Sequence, residues 1–191
     1  MNICLYGASS TMLSQTYLDA AYEMGAAMAK HAHTLVYGGG AQGVMGAAAC
    51  GVRDGGGKII GIAPSFFHVD GILFEDCTEF IYTETMRERK ALMDERAEAF
   101  ILAPGGIGSF EEIFEILTLK QIGRHNRPIA ILNTQNYYVP MHQMLEHAVR
   151  EKFVKAPCLQ LYKLCDTPEE VLAYIENYDA EALDIRHLKN L

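Results

Sequence analysis

No stretch of the 191-residue chain approaches the roughly 18 consecutive apolar residues that a membrane-spanning helix requires, and no basic leader precedes the strand-like run Met1 to Tyr6. Neither a membrane protein nor an exported one is expected. Positive charge is scarce: 16 Lys and Arg stand against 24 Asp and Glu, a formal net charge of -8. Nucleic-acid polymers and anionic membranes both need a basic field, so neither is an expected partner. The five cysteines, at positions 4, 50, 77, 158 and 165, make no C-x-x-C pair. Their odd number without an export signal points to reduced thiols and a cytoplasmic setting. The seven histidines, including His31, His33, His142 and His147, form no H-E-x-x-H or comparable set, so no metal is expected. His142 and His147 fit a helix surface or an interface. No glycine loop is followed by Lys and then Ser or Thr, which excludes a Walker A phosphate loop. Internal repeats, low-complexity segments and a splitting linker are also missing, and the length suits one domain over residues 1–191.

What the chain does contain is alternation. Short apolar runs at Ile3 to Tyr6, Thr34 to Tyr37, Lys58 to Ala63, Glu79 to Thr83, Ala99 to Ala103 and Pro128 to Leu132 are separated by helical patterns. Helices are predicted over Ser14 to His31, Val44 to Asp54, Met86 to Glu98, from Phe110 onward, Tyr137 to Glu151 and Thr167 to Tyr178. Strands alternating with helices specify an α/β fold, a Rossmann-like, doubly wound, mostly parallel sheet with helices on both faces. Ligands bind such sheets outside the carboxyl ends of the strands, where the winding reverses.

Two glycine turns should meet there. Pro104-Gly105-Gly106-Ile107-Gly108-Ser109-Phe110-Glu111-Glu112 joins an apolar run to an amphipathic helix through a nearly side-chain-free turn. Free amides and the positive end of the following helix make such a turn an anion cradle. Gly38-Gly39-Gly40-Ala41-Gln42-Gly43 follows the run Thr34 to Tyr37 in the same way. Its Gly38, Gly40 and Gly43 also spell G-x-G-x-x-G, but the next strand ends in Pro64 without the acidic residue that would hold a dinucleotide ribose. A mononucleotide-sized, phosphorylated ligand fits better than a dinucleotide. A third loop, Gly7-Ala8-Ser9-Ser10-Thr11, suits either ligand contact or an ordinary helix cap.

Few side chains can carry chemistry. Ser109 and Glu112 have the spacing of a capping box. Alternatively, Glu112 stands beside a bound sugar, kept ionised by the helix dipole. Glu111 and Glu115 read as solvated. The run Met86-Arg87-Glu88-Arg89-Lys90 reads from pattern as a wet helix face. If the strand order brings it beside the Pro104 loop, however, Arg89 can pair with Glu112, and Lys90 adds a point charge.

The stretch Pro104 to Glu112 resembles the PGGxGTxxE signature of the LOG (Lonely Guy) family, cytokinin riboside 5'-monophosphate phosphoribohydrolases with an older lysine decarboxylase label. Met86 with Arg89-Lys90 resembles the family's second signature. Gly38 to Gly46 and the opening strand with Gly7 and Ser9-Ser10 are similar to equivalent family segments. The resemblance implies a Rossmann-like homodimer that hydrolyses the bond between base and ribose 5-phosphate without a cofactor. Arg89 and Glu112 take the catalytic positions, and Glu84 is a further proton-donor candidate unless it caps its helix. Substrate binding is expected of Gly39, Gly40, Gly43, Met86, Lys90, Gly105, Gly106, Ile107, Gly108, Ser109 and Glu111. Ser109 replaces the usual Thr and Arg87 a common His. The older label is discounted, because a pyridoxal-phosphate decarboxylase needs a Schiff-base lysine and a substrate domain. The alternative is a non-catalytic carrier of a phosphorylated pterin, resembling molybdenum-cofactor carriers.

Overall fold

The computed structural model describes residues 1–67 and 71–180. Among these, seven strands form one parallel sheet: β1 (Asn2–Tyr6), β2 (Thr34–Tyr37), β3 (Lys58–Pro64), β4 (Glu79–Thr83), β5 (Ala99–Leu102), β6 (Ile129–Leu132) and β7 (Lys163–Cys165). The helices are α1 (Gln15–Lys30), α2 (Gly43–Asp54), α3 (Met86–Arg96), α4 (Ile107–Gln121), α5 (Val139–Arg150) and α6 (Pro168–Glu176). Strand β7 is an addition to the six runs read from the sequence. The apolar tail around Leu183, Ile185, Leu188 and Leu191 lies outside the described residues.

The strand order is β4-β3-β2-β1-β5-β6-β7. The chain winds outward from β1 to β4, returns to lay β5 beside β1, and then winds outward the other way. Because side chains alternate across a strand, each central strand feeds two cores. Ile3, Leu5, Leu35 and Ile101 pack with α1, α2 and α6 on one face. Cys4, Tyr6, Val36 and Phe100 pack with Met93 of α3, Ile113 and Leu117 of α4, and Met141 of α5 on the other. The helices after β1 and β5 therefore leave toward opposite faces, which opens a crevice between the two loops at the carboxyl ends of these strands.

Helices α1 and α2 lie almost backbone to backbone. A Cβ on Gly25 would stand 2.0 Å from the Ala48 carbonyl oxygen, so the alanine and glycine content of both helices is a packing requirement.

Helix α1 ends in a Schellman turn: the Ala32 amide donates to Ala29 O and the His33 amide to Met28 O, both at 2.9 Å. Ala32 occupies the left-handed position, φ 57°, where glycine is usual. The left-handed cost to alanine exceeds the extra entropy that glycine loses on folding. Ala32→Gly is expected to stabilise the protein by about 0.5–1 kcal/mol, raising the thermal unfolding midpoint by a few degrees.

Candidate active site

The Pro104 loop is held by its carbonyls. Tyr138 Oη donates to Ala103 O at 2.8 Å, the Ala8 amide to Pro104 O at 3.1 Å, and Tyr137 Oη to Gly105 O at 2.7 Å. With these oxygens committed inward, the chain turns into α4 with Gly106 as its N-cap and no side chain capping the first amides. Those amides remain open to a ligand. Gly106, Ile107 and Gly108 are exposed, Ile107 to 89%. Tyr138 is fully buried. Tyr138→Phe leaves the Ala103 carbonyl without its hydroxyl donor, at an expected cost of about 1–2 kcal/mol in denaturant unfolding.

This geometry overturns the capping-box reading of Ser109 and Glu112. Ser109 is the third residue of α4 and its hydroxyl lies against Gly105, where an added Cβ would be 2.2 Å away. The reciprocal box exists instead at Thr85 and Glu88, which cap α3, so Glu84 is not the cap either.

Glu112 is free to turn toward α3. Arg89 Nη1 donates to Glu112 Oε1 at 2.6 Å, and the two side chains are only 8% and 12% exposed. Arg89 Nε donates to the Ile62 carbonyl of β3 at 3.2 Å. The guanidinium reaches this position past Gly38, where an added Cβ would be 2.0 Å from Nη2. The wet-face reading of the charge run therefore fails at Arg89, which is buried.

Burial raises the Glu112 carboxyl above its ordinary value, with the Arg89 charge and hydrogen bond opposing. The direction of this shift is set by desolvation rather than by the helix dipole, and the Arg89 charge is what favours the ionised form. Glu112 stands in the second turn of α4, where the dipole has faded.

A cavity of about 430 Å³ opens on this pair. Its walls bring together seven of the residues expected from sequence: Met86, Arg89, Gly106, Ile107, Gly108, Ser109 and Glu112. The loop after β1 supplies Gly7, Ala8, Ser9 and Ser10. That loop does not cap α1, whose N-cap is Ser14. Met45, inside the Gly38 to Gly46 segment but not among the expected contacts, and Phe67, which has no signature in sequence, also line the cavity.

Gly39, Gly40, Gly43, Gly105, Lys90 and Glu111 lie outside this lining. Added Cβ atoms on Gly39 and Gly43 would meet Phe80 and the carbonyls of Ala8 and Ser10. Gly40 bridges Leu73. This glycine turn thus makes room for neighbouring chain and for Arg89. Lys90 pairs with Glu111 and, at 2.7 Å, with Glu115, so these acids are not simply solvated. Lys90, Arg87, Asp94 and Tyr6 line a second cavity of about 360 Å³ that also reaches Glu112.

Lys120 is buried near the other end of α4. It donates to the Arg127 carbonyl at 2.8 Å and sits 4.6 Å from the Tyr178 ring centre, clipping the loop before β6. His142 contacts the Tyr162 hydroxyl at 2.7 Å on α5, away from the site. No helix among the described residues is long and apolar enough to cross a membrane.

Solved structures share this fold. A molybdenum cofactor carrier protein from Chlamydomonas reinhardtii superposes with a TM-score of 0.71 at 20% identity, covering 95% of this chain and 98% of that one. A molybdenum cofactor binding protein from Rippkaea orientalis gives 0.67 at 20% identity, with 92% and 93% covered.

Sequence similarity is more specific. The family model described as "Possible lysine decarboxylase" matches residues 45–175. A cytokinin riboside 5'-monophosphate phosphoribohydrolase of Arabidopsis thaliana is 36% identical over 92% of this chain and 83% of its own length. One of Oryza sativa subsp. japonica is 35% identical over 94% and 74%. With most of its length matched by that family model and more than nine tenths aligned to these relatives, the chain belongs to the LOG family.

Proposed function

We propose that this protein hydrolyses the N-glycosidic bond of adenine-type nucleoside 5'-monophosphates, cytokinin ribotides or AMP itself, releasing the free base and ribose 5-phosphate. The observation that carries the reading is the 2.6 Å Arg89–Glu112 pair on one wall of a cavity whose other wall is the uncapped start of α4. Dianionic phosphate suits the open amides of Gly106 to Ser109. From Ile107 to Glu112 the helix rises by roughly 7 Å. A phosphate on the first turn therefore brings the attached ribose toward the carboxylate.

Cleavage of the base leaves positive charge on the anomeric carbon. Ionised Glu112 stabilises that charge and takes a proton from the attacking water, while Arg89 fixes the carboxylate and contacts the nucleotide. Bond breaking passes an electron pair to the base nitrogen, water oxygen closes the sugar as a hemiacetal, and the released base gains one proton in exchange for the one that water gives up to Glu112, so that one water adds across the bond.

The reading includes a homodimer of single-domain subunits working in the cytoplasm. It is supported by the LOG resemblance and by five cysteines that are all free thiols. Sedimentation measures the assembly directly.

The test is incubation of the purified protein with AMP, prenylated AMP and the corresponding nucleosides, with chromatography of the products. Free base is expected from the monophosphates and not from the nucleosides, which lack the group that α4 binds. Binding of the nucleotides without release of base would instead favour a carrier, the reading that the molybdenum-cofactor proteins of the same fold suggest.

A further inference from the structure

At the amino-terminal edge of the sheet, opposite the cavity, two neighbouring histidines meet a glutamate from near the far end of the described residues. The Schellman turn after α1 holds His31 at the helix end and His33 just before β2, with ring centres 6.1 Å apart. Ala32 between them accepts a left-handed backbone to make this reversal. Glu176, the last residue of α6, enters between the rings. Its Oε1 lies 2.8 Å from His31 Nδ1 and 2.9 Å from His33 Nε2. The three donor atoms all lie within 4.8 Å of one another.

We propose that His31, His33 and Glu176 form a binding site for a divalent transition metal, with zinc as its natural occupant, remote from the candidate active site. Two imidazole nitrogens and one carboxylate oxygen are a donor set zinc accepts, with water completing a tetrahedron. Both ring nitrogens lie at hydrogen-bond distance from the same carboxylate oxygen, which gathers the three donor atoms into one small region. Tetrahedral bonds of about 2.0–2.1 Å set donor atoms about 3.3 Å apart, so the two contacts to Glu176 open by about half an ångström and the two ring nitrogens, within 4.8 Å of each other, settle to the same spacing.

The surroundings allow that movement. The His33 side chain is 7% exposed, its Nδ1 3.4 Å from the Met1 amine, whereas His31 and Glu176 are 41% and 33% exposed and can adjust. Solvent on their side gives the ion an entry path and a water ligand. Imidazole donors select against magnesium and calcium, which prefer all-oxygen shells.

The ion would fasten α1 and the start of β2 to α6, segments more than 140 residues apart in sequence. Its role is a brace, and it takes no part in the reaction at the other edge. An ion bound only by the folded state shifts the folding equilibrium in proportion to its concentration over its dissociation constant.

Chelator-stripped full-length protein titrated with zinc chloride tests this. One saturable equivalent is expected, with a rise in the thermal unfolding midpoint, and cobalt should give the intense visible bands of a four-coordinate site. His31→Ala and Glu176→Gln, both at half-exposed positions, are expected to stay folded and to bind zinc at least about 100-fold more weakly. Cys50→Ser should bind like the wild type, which separates this site from adventitious thiol binding. Absence of a saturable equivalent in the wild type, or unchanged affinity in both variants, would overturn the proposal.

Discussion

Replacing Glu112 with Gln is expected to lower the rate of base release from AMP by about 10³-fold in a protein that still folds. The amide keeps the shape of the carboxyl and can still accept from Arg89, so the change removes charge and basicity alone. Those are what the proposed step uses. The same assignment fixes a pH dependence. Activity requires ionised Glu112, so kcat/KM falls as pH drops through the pKa of this group. Burial raises that pKa above the ordinary value of 4.5, and Arg89 holds it back. The acid limb should therefore lie above 4.5 and move to still higher pH in Arg89→Met, where the opposing charge is gone. Rates of adenine formation across a pH series measure both effects. A Glu112→Gln protein as fast as the wild type would remove Glu112 from the mechanism.

Gly38→Ala is expected to cost about 100-fold in kcat/KM while the protein stays folded, with a lowered unfolding midpoint. The added methyl would fall 2.0 Å from Arg89 Nη2 and 3.2 Å from Cζ, with Met45 Sδ next at 3.5 Å. The near atoms belong to the far end of a flexible side chain, so the protein relieves the clash by moving the guanidinium. That movement breaks the 2.6 Å contact with Glu112 and leaves the fold intact. The variant separates placement of the arginine from its presence. Equal activity of Gly38→Ala and wild type would mean that the position of the guanidinium does not matter to the reaction. Thermal unfolding beside the kinetics shows whether the fold survived.

Much of this was legible in the chain because buried parallel strands write themselves as apolar runs. Ile3 to Tyr6 and Ala99 to Ala103 could be read as buried strands, while their place side by side at the sheet centre, where the winding breaks and the crevice opens, came only with the strand order. Strand β7 escaped because its three residues, Lys163 to Cys165, are too few and too mixed to carry a period. The Ser109–Glu112 spacing is the same whether Ser109 caps a helix or sits in its first turn. Only the tyrosines that hold the carbonyls of Ala103 and Gly105 decide for the latter, and they come from more than 30 residues away. Arg89 looked like one charge among several, since its burial depends on a gap at Gly38 that no local pattern reveals. His31 and His33 offered no ligand set by spacing, because their third companion lies 143 residues on.

The hydrogen bond from Arg89 to the Ile62 carbonyl carries one more implication. A guanidinium hydrogen-bonded at Nε to the β3 backbone and at Nη1 to Glu112 is in place before any nucleotide arrives. On association the arriving molecule gives up its freedom, and the arginine has almost none left to lose.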